Sequence, residues 1–206
     1  MAGSDVKVKF ISDEVAADPN GFSASAQVAN NAALVLGGAL ADGGAVTLAG
    51  SARTVSITSG GDDDGISFTV VGTDLDGASL TESITGADTG AATGSKFFKT
   101  IVSITAVGDP AGTVLAGTTA VAADIIFGGR TRLKGYSIVS SGTTGVVSFL
   151  NGEPNGGGSA LFKARTLGTD NTTIDNTIPE DGVLFENGMY ITYTIATVDM
   201  MSFFHA

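Results

Sequence analysis

Cysteine and tryptophan are absent from the 206 residues, histidine occurs once, proline four times, and lysine and arginine together ten times. Without a thiol the chain can form no disulfide staple, no thiolate metal site and no cysteine nucleophile. The lone histidine, His205, stands next to last, with no orienting partner or pocket legible around it, as a general base would need. No G-x-S-x-G elbow, phosphate loop or H-E-x-x-H occurs. Carboxylate pairs suited to glycosidic hydrolysis abound in an acidic β protein, and nothing selects one. The chain is therefore expected to be no enzyme and to need no cofactor.

Positive charge is also scarce. The formal net charge is −11 and the sequence pI about 4.2, a field that repels nucleic acid and anionic membranes, so neither is an expected partner. Long apolar runs are missing too. The most hydrophobic stretch, "NAALVLGGALADGGAVTLAG", is broken by glycines and Asp42, and the opening "MAGSDVKVKFISDEVAADPNG" is too charged for a signal peptide. A soluble protein is expected.

What is present is glycine (30 residues), recurrent Ser and Thr, and 43% hydrophobic residues, a mix suited to many short strands joined by tight turns around a real core. Three regions emerge. Residues 1–23 read as an extended N-terminal arm, in which "VKVKFI" is a strand with Val6, Val8 and Phe10 on one face and "DPNG" is a turn. Such a strand either closes its own sheet or pairs with a neighbouring subunit.

Residues 24–122 read as a β-sandwich module. "RTVSIT" alternates with Val55 and Ile57 on one face; "ISFTVVG" places Ile66, Phe68 and Val70 together; "ASLTESIT" offers Leu80 and Ile84 with Glu82 on the same face. A charge on an apolar face suits an edge strand. "SASAQVANNAALVL", free of glycine, is the one segment expected to form a short helix. Residues 123–206 form a second β module, in which Met189, Ile191, Tyr193 and Ile195 share a face and "VDMMSFFHA" closes the sheet. The expected fold is mainly β: two antiparallel sandwich or jelly-roll-like modules behind an arm.

Two acidic turns invite a metal reading. Asp62, Asp63 and Asp64 precede Gly65, and Asp74 and Asp76 precede Gly77. Clustered carboxylates can ligate Ca²⁺, but the EF-hand spacing is absent, and Asp and Gly are the ordinary residues of hairpin corners. No metal site is assigned. The basic residues are more suggestive: Arg130, Arg132 and Lys134 alternate along one strand, and Lys163 and Arg165 along another. If those strands pair, five cations line one face and form a docking stripe for an acidic protein surface. Phe97, Phe98, Phe203 and Phe204 are the aromatics to consider as contact anchors, with a core role the alternative for each.

The run "RTVSITSGG…GISFTVVGTDLDG", with "FFKTIVSI" downstream, resembles a module of virion structural proteins from tailed bacteriophages, marine and cyanobacterial ones in particular. "GGRTRLKGYSIVSSGTTGVVSFLNG…TIPEDGVLFENGMYI" is similar to a second module of the same phages, and together the two cover roughly residues 50–206. The motifs are turns, strand edges and paired aromatics, with no catalytic residues to carry over. The resemblance implies a virion component assembled in the host cytoplasm. A decoration or cement protein on the capsid exterior is favoured, bound to the major capsid protein or other virion proteins, as a homo-oligomer with a trimer favoured. A tail, baseplate or fibre-associated piece is the alternative. A host-glycan adhesion module is weaker, since only three tyrosines and no tryptophan are available as platforms.

Overall fold

The structure, a computed structural model, describes residues 6–12 and 15–206, with the side chains of Asp170 and Asn171 left aside. The chain folds as two compact units, one of residues 17–120 and one in which the first strand, β1 (Lys7–Ser12), joins residues 121–206. Residues read as an arm are thus divided: β1 pairs with the last strand of its own chain, and Ser23 already opens the next strand.

The unit of residues 17–120 is a sandwich of two antiparallel sheets. Its strands are β2 (Ser23–Gln27), β3 (Ala41–Asp42), β4 (Ala45–Thr47), β5 (Ala52–Asp62), β6 (Ser67–Thr73), β7 (Ser79–Thr85), β8 (Asp88–Thr93), β9 (Thr100–Val107) and the first part of β10 (Thr113–Phe127). One sheet runs β3-β4-β9-β6-β7; in the other, β10 lies between β2 and β5, and β8 flanks β5. Alternation places Phe68 and Val70 of β6, Leu80 and Ile84 of β7, and Ile101 and Ile104 of β9 in one core with Val55 and Ile57 of β5. The β3–β4 hairpin turns through Gly43 (φ 59°) and Gly44 (φ 83°), the positive-φ pair that a two-residue hairpin loop demands.

The helix expected in "SASAQVANNAALVL" does not form. Ser23–Gln27 pairs with β10, and the chain beyond it turns at Asn30–Asn31 and then runs beside β9, with Leu34 N donating to Ile104 O and Ala106 N to Ala32 O. Partners distant in sequence satisfy this backbone, so local helix propensity loses. The "DPNG" turn does form: Gly21 N donates to Asp18 O, and Asp18 O also accepts from Thr118 N at 2.8 Å. Gly117 permits that approach, because a Cβ there would lie 2.0 Å from Asp18 O.

The second unit is also a sandwich. It adds β11 (Thr131–Ser141), β12 (Gly145–Asn151), β13 (Ser159–Thr166), β14 (Asp170–Thr177), β15 (Val183–Phe185), β16 (Met189–Thr194) and β17 (Val198–His205). One sheet has the order β1-β17-β11-β14, with β15 pairing the start of β11; the other has β13-β12-β16 followed by the end of β10. Among the described residues helix is confined to two 3₁₀ turns, Pro154–Gly156 and Ile195–Thr197, and no helix is long and apolar enough to cross a membrane.

Aromatic rings from both sheets meet at the centre of this unit. Phe149 of β12 stacks on Phe162 of β13 with centroids 4.2 Å apart, and it meets Tyr136 of β11 at 5.1 Å and Phe203 of β17 edge-on at 5.7 Å. Phe162 reaches Phe185 of β15 at 6.4 Å. Phe149 therefore touches both layers, and offset and edge-to-face contacts add to its area burial. Truncating Phe149 to Ala is expected to cost about 3–5 kcal/mol through lost transfer and a residual cavity. All three tyrosines (Tyr136, Tyr190 and Tyr193) lie in this unit, so tyrosine fluorescence during urea unfolding reads it selectively. A shift in midpoint equivalent to less than about 1 kcal/mol would contradict this packing account.

Candidate docking face

Strand β1 is the edge of its sheet, and its side chains are inverted with respect to hydrophobicity. Its antiparallel register sets Lys7 opposite His205, Lys9 opposite Phe203 and Ile11 opposite Met201 along the inward row, on which Lys7 is still exposed at the rim and Lys9 half-buried. Ile11 is 5% exposed, and Lys9 Nζ lies 3.8 Å from Asp124 Oδ1. Period-two alternation then sends Val6, Val8 and Phe10 outward. Val8 is 57% and Phe10 53% exposed, and Phe204, paired with Val8, is 37% exposed. Half-buried Met200 and Val139 extend the outward patch across β17 and β11. Beside it, an open cavity of about 560 Å³ is lined by Val6, Phe204, Gly135, Tyr136 and Asn176, among others.

The five cations are not one stripe. β11 pairs with β14, β15 and β17, whereas β13 pairs with β12, so the two basic strands lie in different sheets of the sandwich. The β11 group also has intramolecular work. Arg130 Nε binds Glu186 Oε2 at 2.7 Å, Lys134 Nζ donates to Glu180 O at 3.1 Å, and Arg132 makes longer contacts to the carbonyls of Asp181 and Gly182. These residues strap the segment on either side of β15 to β11. Lys163 and Arg165 do point outward, along edge strand β13. There they alternate with Ala164 and Thr166, which face the core.

Of the aromatics, Phe98 and Phe203 are fully buried in their respective cores. Neither can anchor a partner. Phe97 is half-buried, which leaves Phe204 as the exposed ring of these four.

The acidic residues are likewise engaged. Asp74 Oδ1 accepts from Asp76 N at 3.0 Å and Ala78 N at 2.8 Å, which makes the second acidic turn a side-chain-closed corner. In the first, Asp63 is buried with Oδ1 accepting from Ala111 N at 2.7 Å, while Asp62 Oδ1 accepts a long bond from Asp64 N. Among the described residues no three His, Asp or Glu groups converge as a metal site would require. Glu82 does sit on an edge strand, β7, but its role there is more than deterrence. Its carboxylate is buried and takes hydrogen bonds from Ser95 N (2.6 Å), Ser95 Oγ (2.9 Å) and Lys96 N (3.2 Å). It clamps the loop before β9.

His205 has both a partner and a cavity, contrary to the sequence reading. Its Nδ1 lies 3.3 Å from Thr131 Oγ1, and its ring packs on Phe127 with centroids 5.2 Å apart. The β11–β17 pairing brings Thr131, at the start of one strand, beside His205, at the end of the other, and only the folded sheet makes the two neighbours.

No protein-family model matches the chain, and neither does any curated protein or solved structure.

Replacing Arg130, Arg132 and Lys134 together by Ser is expected to loosen the strapped segment with little loss of global stability, since exposed pairs contribute about 0.2–1 kcal/mol each. A glutamate-specific protease should then cut at Glu180 or Glu186 several-fold faster. An unchanged rate would remove the strap assignment.

Proposed function

We propose that the protein is a non-enzymatic structural component of a bacteriophage virion, specifically a decoration protein that cements the capsid exterior by binding capsid subunits. It acts as a symmetric homo-oligomer, with a trimer as the expected order. Two lines support this reading: the phage-like rhythm of the two β modules, and the outward-turned apolar row of β1.

The β1 row is the observation that carries it. A monomer gains nothing by exposing Val8 and Phe10 while setting the half-buried Lys9, beside Asp124, on the inward row. Contiguous exposed apolar patches mark interaction sites. Covering the two side chains supplies about 1.5–3 kcal/mol each. Inward-pointing charges on an edge strand oppose extension of the sheet by a further strand. The partner therefore lies over the face and does not add to the edge, and the neighbouring cavity offers room for one of its apolar side chains. Lys163 and Arg165 form a smaller cationic feature that sets salt dependence and approach more than affinity.

The double substitution Val8→Ser, Phe10→Ser separates docking from folding. Both side chains are solvent-exposed, so the tyrosine-monitored unfolding midpoint should stay within about 1 kcal/mol of the parent. Occupancy on particles lacking the native protein should fall, with affinity reduced at least about tenfold. Full occupancy by the variant at the parent's concentration would refute the docking face.

A further inference from the structure

The cavity beside His205 belongs to a different part of the second unit from the β1 apolar row. It measures about 310 Å³ and is lined by Lys7, Phe127, Arg130, Thr131, His205 and Ala206. Two of the chain's ten Lys and Arg residues thus meet here, beside Glu186 and the carboxyl end of Ala206. Lys7 forms no ion pair among the described residues, and Arg130 is matched by one carboxylate, Glu186, at 2.7 Å. We infer that this cavity is a binding site for a carboxylate group carried on a short aliphatic chain, held between Lys7 and the imidazole of His205 with Phe127 as its apolar wall.

The hydrogen bonds fix the ring's chemistry. Thr131 Oγ1 donates its one hydrogen to Ala206 O at 3.1 Å. The hydroxyl can then meet His205 Nδ1, 3.3 Å away, only as an acceptor, so Nδ1 carries the hydrogen between them. The remaining valence, Nε2, is the one that titrates and the one left for a ligand. Burial of the ring, and after it the Lys7 ammonium, holds the His205 pKa below the usual imidazole value. Both effects oppose a positive ring, and a carboxylate between the two cations reverses the second of them.

The charged groups around the ring are Lys7 from β1, Arg130 from the β10–β11 turn, Glu186 from the β15–β16 turn and the carboxyl end of Ala206, which is engaged by Thr131 Oγ1. The Lys9–Asp124 pair lies one alternation further along β1. Lys7 Nζ and His205 Nε2, which have no partner among the described residues, suit the two oxygens of a monoanion, whereas a phosphate dianion calls for more. Binding takes up a proton at Nε2, so affinity rises as pH falls through the titration of the ring.

The test is an NMR titration of the full chain, following the single histidine's ring resonances. The probes are sodium acetate, a short glutamate-containing peptide, and sodium chloride and phosphate at matched ionic strength. Acetate is expected to shift the ring saturably and to raise its titration midpoint by about one pH unit. Lys7→Met, at an exposed position that leaves the fold intact, should abolish both effects. A peptide that binds more tightly than acetate assigns the carboxylate to a protein partner's side chain, and equal binding assigns it to a small molecule. The inference is overturned if acetate produces no saturable shift, if chloride or phosphate does as well or better, or if Lys7→Met responds like the parent. None of these results depends on Val8 and Phe10, so this site can fail while the docking face stands, and the reverse.

Discussion

A strand has two faces, and consecutive side chains must take opposite ones. That constraint governs β1. Its register on β17 admits Ile11 to the core, and the same register fixes Lys9 opposite Phe203 and turns Val8 and Phe10 to solvent. A slip of one residue would turn Val8 and Phe10 inward and drive Ile11 and Lys9 outward. The observed register is held at its far end by Ile11 and by the approach of Lys9 to Asp124. The apolar outer row follows from that choice, and the docking reading rests on it.

The rigidity needed to present such a row comes from the layer beneath. Phe203 lies on the β17 segment that pairs with β1, and it meets Phe149 from the opposite sheet. Phe149 in turn stacks on Phe162, which reaches Phe185. Interlocked rings leave little freedom for the sheets to slide, since cores pack at crystal-like density. The strap formed by Arg130, Arg132 and Lys134 works at the rim of the same sheet, where it fixes the segment around β15.

Much of the fold could be read directly. The alternations in Ser67–Thr73, Ser79–Thr85 and Met189–Thr194 are strands with the expected residues buried. Polar strands were not legible: β8 and β14 carry few apolar residues and exist because β5 and β11 offer them backbone partners. "SASAQVANNAALVL" misleads for the same reason, since its partners on β9 and β10 are remote in the sequence.

The site was harder still. Alternation gathers Val6, Val8 and Phe10 on one face but does not say whether that face looks in or out. The cations of β11 and β13 look alike in one dimension and fall in different sheets in three. His205 acquires Thr131 only through strand pairing between chain positions 74 apart.

The central claim is that the outer row of β1 exists to be covered. Radical footprinting, which labels accessible side chains, reads this most directly when Val8, Phe10 and Phe204 are compared in the free protein and on the assembled particle. The account predicts labelling of all three in the free chain and strong protection of Val8 and Phe10 on assembly, with Lys163 little changed. Equal labelling of Val8 and Phe10 in both states would contradict it.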